Sequence, residues 1–128
     1  MTEADTPPPG EPAIRAVAMP ADTNPNGDIF GGWLMAQMDL AGGVTAWRRA
    51  GGRTATVAVD SMTFHRPVKV GDVVSIYARI AGIGRTSIRI FIEAWRLSRE
   101  GEMSRVTSAT FIYVAIGPDG RPRPVDPA

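Results

Sequence analysis

Asp39 is the one acid inside GGWLMAQMDLAGG, a run otherwise made of uncharged helix-forming and small residues. Gly32, Ala36, Asp39 and Gly43 follow the i, i+4, i+7, i+11 spacing, so they share a helical face without a bulky side chain. Another backbone or a slim ligand can therefore come close to the carboxylate. An acid with that access can serve as general base on water or attack an activated carbonyl directly. Read blandly, it is a helix acid that faces solvent or makes a structural hydrogen bond. The start of the same helix supplies a second ingredient, because its first N–H groups lack intrahelical partners and the dipole there attracts negative charge. The amide of Gly32 or Trp33, just after the Gly31-Gly32 pair, is a candidate oxyanion donor, a contribution of about 3 kcal/mol where such donors have been removed. Two glycines also simply permit a tight entry from loop to helix. The expectation is that acid and free amides lie close together. GDIFGG is not a dinucleotide motif, since it lacks the GxGxxG spacing and no βαβ unit follows.

Around this stretch stand the other polar candidates. Asn26 and Asp28 sit in the NPNGD loop before the helix, where Asn26 suits a turn and an acid such as Asp28 is favoured by the dipole. His65, Arg66 and Lys69 cluster at one turn, and Arg85, Thr86 and Ser87 at another. Exposed arginines in turns are commonly soluble surface. Ser61 lies on the strand expected beside the helix, as a substrate contact or as a packed hydroxyl. The single histidine, His65, excludes any site that needs two. The absence of cysteine excludes disulfides, thiolate metal sites and thiol catalysis, and no metal centre is expected.

The elements that must position these groups follow from pattern. At 128 residues the chain is one domain, and its 44% apolar content is ordinary for a globular protein. Lys and Arg number 14 against 13 Asp and Glu, a balance that argues against a nucleic-acid binder. No run approaches the ~20 apolar residues of a membrane span, and MTEADTPPPGEP has no signal-peptide order. A cytoplasmic protein is expected. Residues 1–12 read as a disordered, proline-rich tail, residues 13–118 as the domain, and 119–128 as a polar C-terminal tail. A short strand is expected over 14–19, then a long helix from about Gly32 to Ala50, ended by Gly51-Gly52. Strands follow at 54–64, 74–80, 88–95 and 105–116, several with clear alternation. A lone helix that is apolar nearly all round, with one sheet available, is best served if the sheet curls around it. Phe91, Trp95, Phe111 and Tyr113 are expected on the sheet's second face, where a partner subunit would cover some of them.

The longer words carry a resemblance. AMPADTNPNGDIFGGWLMAQMD at 18–39, VDSMTFHRPVKVGDVV at 59–74, GRTSI at 84–88 and TFIYVAIGPDGRPRPV at 110–125 resemble the hotdog-fold acyl-CoA thioesterases, in particular their bacterial short-chain YciA-like branch. The first word is long and unusual, and the match covers nearly the whole chain after residue 13. The resemblance implies an α+β hotdog fold, one long central helix wrapped by a curved antiparallel sheet of about five strands. It implies a dimer joined edge to edge, often a trimer of dimers, with active sites between protomers. It implies hydrolysis of acyl-CoA to free acid and CoA without a cofactor, with Asp39 as the catalytic carboxylate. Asp28, with Asn26 as a second candidate, is carried over as a helper paired with the helix acid of the other subunit. The phosphates of CoA would meet the turns at Arg66, Lys69 and His65 and at Arg85, Thr86 and Ser87. A hotdog dehydratase needs a catalytic histidine, and the only one sits away from the helix start. A non-catalytic acyl-CoA or nucleotide sensor would use the same pocket without turnover.

Overall fold

A helix with so little polar surface needs an apolar face to lie on, and the strands that follow it provide one. The protein is described here from a computed structural model covering residues 6–127. The expected disordered tail falls partly on residues 1–5, outside the described residues, and residues 6–13 carry no helix or strand. In chain order come β1 (Ile14–Val17), a turn of 3-10 helix (Pro20–Asp22), α1 (Gly31–Ala50), β2 (Thr54–Val59), β3 (Val73–Ile83), β4 (Ser87–Leu97) and β5 (Met103–Ala115). Every pairing is antiparallel and the sheet order is β1-β3-β4-β5-β2, which leaves β1 and β2 at the edges. The sheet curls as a half-barrel around α1, which packs against β2, β3, β4 and β5. This is the α+β arrangement expected from the pattern.

The core lies between the helix and the concave face. Leu34, Met38, Ala41, Ala46 and Ala50 bury against Val74, Ile76, Ile88, Ile90, Ile92, Ala109, Phe111 and Tyr113. Strand β4 shows why: Ile88, Ile90, Ile92 and Ala94 alternate inward and are fully buried. The small residues of α1 let the sheet approach its axis closely. A Cβ on Gly42 would lie 2.2 Å from the Tyr113 hydroxyl and 2.6 Å from Ile92 Cδ1. Gly51 ends the helix in the left-handed conformation (φ 68°), its N–H donating to Trp47 O at 2.9 Å.

Three expectations change. The strand expected over 54–64 ends at Val59, although Asp60 N and His65 N still donate to Thr110 O and Val106 O. The chain there keeps alongside β5 without continuous pairing. Phe111 and Tyr113 do not lie on the second face: both point into the core, and Trp95 is also 99% covered within this one chain, since it is 1% exposed. Trp95 keeps the alternation that sets it opposite Ala94, outside the core cluster, and is covered there by its own chain. Conversely, the sheet does not cover the helix all round. Leu40 is 58% exposed and Trp47 56% exposed, with Val44 between them on the same stripe. The C-terminal stretch is docked: Val125 is buried, its N–H bonds Arg85 O at 2.9 Å, and Arg123 bonds Ala50 O.

Candidate active site

Asp39 is the ninth residue of α1, and its half-buried carboxylate emerges beside the edge strand β2. Thr56 Oγ1 on β2 donates to Oδ1 at 2.7 Å, and Tyr113 Oη on β5 donates to the same oxygen at 2.9 Å. Thr56 and Tyr113 are register partners across β2 and β5, so one cross-strand pair reaches the acid from below. Burial first, then the hydrogen bond to Asp39, pushes the Tyr113 phenol well above the usual tyrosine range, which keeps it a donor. Asp39, Leu40, Gly43, Val44, Trp47, Thr54, Thr56 and Tyr113 line an open hollow of about 260 Å³. Neither Thr56 nor Tyr113 was among the site candidates read from the sequence. Their signal is a pairing between strands some 57 residues apart in sequence, which periodicity does not reveal.

The start of α1 forms a separate hollow. The first helical bond runs from Leu34 N to Phe30 O at 3.4 Å, and among the described residues the N–H groups of Gly31, Gly32 and Trp33 have no acceptor. Asp28, Ile29, Phe30, Gly31, Leu34, Phe64, Arg66, Pro67, Val68 and Val106 line about 220 Å³ here. Gly31 has a packing reason, since a Cβ would meet Phe64 Cζ at 3.3 Å; a Cβ on Gly32 would meet nothing within 4 Å. The open lane at Gly32 and Gly43 is thus real. Its two ends do not meet in one chain: Gly32 and Asp39 are seven residues apart on α1, roughly 10 Å along the axis at ~1.5 Å per residue. The expected closeness of acid and amides is overturned by the straight helix between them.

The loop before the helix is tied rather than free. Asn24 Oδ1 accepts from Asn26 N at 2.9 Å and Asp28 N at 3.1 Å, an Asx turn that the sequence reading left to Asn26. The Asp28 carboxylate accepts from Lys69 Nζ, joining this loop to the 65–72 turn, and Ile29 N bonds Val68 O at 3.0 Å. Lys69 is therefore engaged by another candidate. Arg66 lines the hollow and donates to Arg105 O at 3.1 Å, while the His65 and Ser61 side chains are exposed. Arg96 anchors the turn through Pro67 O at 3.0 Å and Asp72 Oδ2 at 3.3 Å. Exposed Arg85 and half-buried Thr86 and Ser87 form the β3–β4 turn, beside the Ile88–Tyr113 pair and hence on Asp39's side of the sheet. The two basic turns stand at opposite ends of β3, roughly 30 Å apart at ~3.3 Å per residue. Within one chain they do not converge.

Among the described residues no cluster of His, Asp or Glu could hold a metal ion, and no helix is long and apolar enough to cross a membrane. One chain thus offers a carboxylate held by two hydroxyls in one hollow, and helix-start amides beside the Arg66 turn in another.

Residues 26–102 match the model of the thioesterase superfamily. The acyl-CoA thioester hydrolase YciA of Salmonella typhimurium is 56% identical over 129 residues, covering 98% of this chain and 97% of the relative. That of Escherichia coli is 53% identical over 120 residues, covering 91% of each. Among solved structures, the hexameric thioesterase from Yersinia pestis has a TM-score of 0.88 at 53% identity, covering 94% of this chain and 99% of that one. A hexameric broad-specificity acyl-coenzyme A thioesterase has a TM-score of 0.88 at 45% identity, covering 95% and 85%. A hexameric hotdog-fold thioesterase of Campylobacter jejuni has a TM-score of 0.85 at 40% identity, covering 91% of each.

Proposed function

The chain belongs to the thioesterase superfamily, and on that premise we propose how its residues carry the reaction. It has the hotdog fold and is an acyl-CoA thioester hydrolase, releasing free acid and CoA, and it self-associates. Asp39 is the reacting carboxylate. As base, it takes a proton from water while that oxygen attacks the thioester carbon and the C–S bond breaks. As nucleophile, its own oxygen bonds that carbon, the CoA thiolate leaves, and water then hydrolyses the mixed anhydride. A thiol of ordinary pKa near ~8.5 leaves readily, so neither route needs a strong general acid. The observation that carries this reading is one carboxylate, held by Thr56 and Tyr113, in a hollow whose lining holds no other charged side chain.

The oxyanion donors are the Gly32 and Trp33 amides of a second copy. A two-fold partner joined along the free β2 edge reverses the ends of the molecule and sets one copy's helix start against the other's Asp39. The exposed Leu40, Val44, Trp47, Val57 and Val59 next to Asp39 support such cover, as do the hexameric relatives. The same reversal brings the Arg66 turn of one copy toward the Arg85 turn of the other, where both grip the CoA phosphates, with His65, Thr86, Ser87 and Ser61 at the rim. Asp28, tied to Lys69 and beside Asn26, shapes the loop that presents the amides. Three such dimers would make the hexamer. The reaction calls on no cofactor, and balanced charge with no cysteine supports action in the cytoplasm.

A panel of acyl-CoAs followed with a thiol reagent tests the reading cleanly, because the chain has no thiol of its own. Thiol release on some chain length is expected. Tight CoA binding with no turnover on any member would make the protein a sensor.

A further inference from the structure

Granted that Asp39 reacts, the two hydroxyls on its carboxylate say which of its oxygens does so. Thr56 Oγ1 and Tyr113 Oη lie 2.7 and 2.9 Å from Oδ1, and among the described residues nothing bonds Oδ2. Each hydroxyl has one proton, and a carboxylate oxygen has two lone-pair sites, so Oδ1 is fully occupied. Tyr113 Oη also lies 3.2 Å from the backbone oxygen of Asp39, but the charged oxygen is both nearer and the stronger acceptor. Oδ2 keeps both lone pairs.

Tyr113 is placed differently from Thr56. Thr56 is exposed on the edge strand, whereas Tyr113 is 1% exposed and comes up from the core. It reaches the acid only through a gap in the helix. Gly42, three residues after Asp39, is buried, and a Cβ there would stand 2.2 Å from Tyr113 Oη and 2.9 Å from Cζ. Any other residue at 42 forces the phenol away from Oδ1. A helix glycine ordinarily costs stability, and here it opens the slot through which a buried donor grips the carboxylate.

We propose that Tyr113, seated in the slot at Gly42, is a positioning residue that locks the Asp39 carboxylate by Oδ1 and presents Oδ2 as the reacting atom. Either route of hydrolysis then passes through Oδ2: it receives the proton of water as base, or forms the bond to the thioester carbon as nucleophile. Tyr113 itself stays below the substrate and exchanges no proton.

The test is Tyr113→Phe, which removes one oxygen and keeps the ring in the core, assayed by thiol release and by CoA binding. The expected result is a kcat lower by roughly ten- to hundredfold, the scale of a charge-assisted hydrogen bond, with KM and CoA affinity within about twofold. The double variant with Asp39→Asn distinguishes a partner of Asp39 from a general packing loss. A residue that acts through the carboxylate adds no further loss once the carboxylate is gone, whereas independent losses multiply. An unchanged kcat in Tyr113→Phe, or an equal further loss in the Asp39→Asn background, would overturn the proposal. If Asp39→Asn alone keeps near-parent turnover, it is the underlying reading of Asp39 that fails.

Discussion

At the scale of single residues, the Tyr113 phenol has two reasons to stay protonated, burial first and the neighbouring carboxylate second. Its ionisation in the folded state lies above the ordinary tyrosine value of ~10. The stability it contributes is therefore complete below that value and declines as pH rises beyond it toward the folded-state value. The phenolate absorbance of the parent and of Tyr113→Phe should coincide during alkaline titration until the protein unfolds. An additional increment in the folded parent would mean that the phenol is not held by Asp39. Asp39 itself was legible in the sequence because it is the only charge in its segment. Its two hydroxyl partners were not: Thr56 looks like any strand threonine, and Tyr113 like any aromatic of a last strand. The acid's distance from the free amides was misjudged for a plain reason. Shared face was read as nearness, while seven residues of helix set about 10 Å between them.

At the scale of elements, strands β3 and β4 were readable from strict alternation, and α1 from its length, composition and terminal glycines. The end of β2 was not, because residues 60–65 run alongside β5 with only occasional bonds, and composition does not distinguish that from a paired strand. The inward turn of Phe111 and Tyr113 also escaped, since towards its end β5 carries Ile112 and Val114 on one face and Phe111 and Tyr113 on the other, so composition there does not orient it. Two predictions belong here. Gly42→Ala must displace Tyr113 or Ile92, so urea unfolding should show a loss of about 1–3 kcal/mol, the cost of overpacking a core. Stability within a few tenths of the parent would mean the helix shifts freely and the slot is not tight. Arg96→Leu strips Asp72, only 3% exposed, of its guanidinium partner and releases the Pro67 carbonyl. An uncompensated buried charge costs about 3–5 kcal/mol, softened here because Lys69 N still donates to Asp72 at 2.9 Å. A lower urea midpoint with an unchanged slope is expected; an unchanged midpoint would show that the 65–72 turn does not depend on Arg96.

At the scale of the whole molecule, the proposed site has its two halves on one chain, which cannot join them. The amides and the Arg66 turn gather at one end, Asp39 and the Arg85 turn at the other, and an uncovered apolar stripe runs beside the acid. Val57 on the free edge strand is 58% exposed. Val57→Asp should leave the single chain folded while breaking the assembly, seen as a smaller sedimenting species with little thiol release. An intact assembly with parent activity would place the partner surface elsewhere. The most direct measurement of the central claim is turnover by Asp39→Asn on the acyl-CoA panel, with CoA binding and assembly size followed on the same protein. Loss of thiol release by roughly 10³-fold, within the range of general acid–base catalysis, with binding and assembly preserved, is the predicted result. Near-parent rates in that variant would contradict the account.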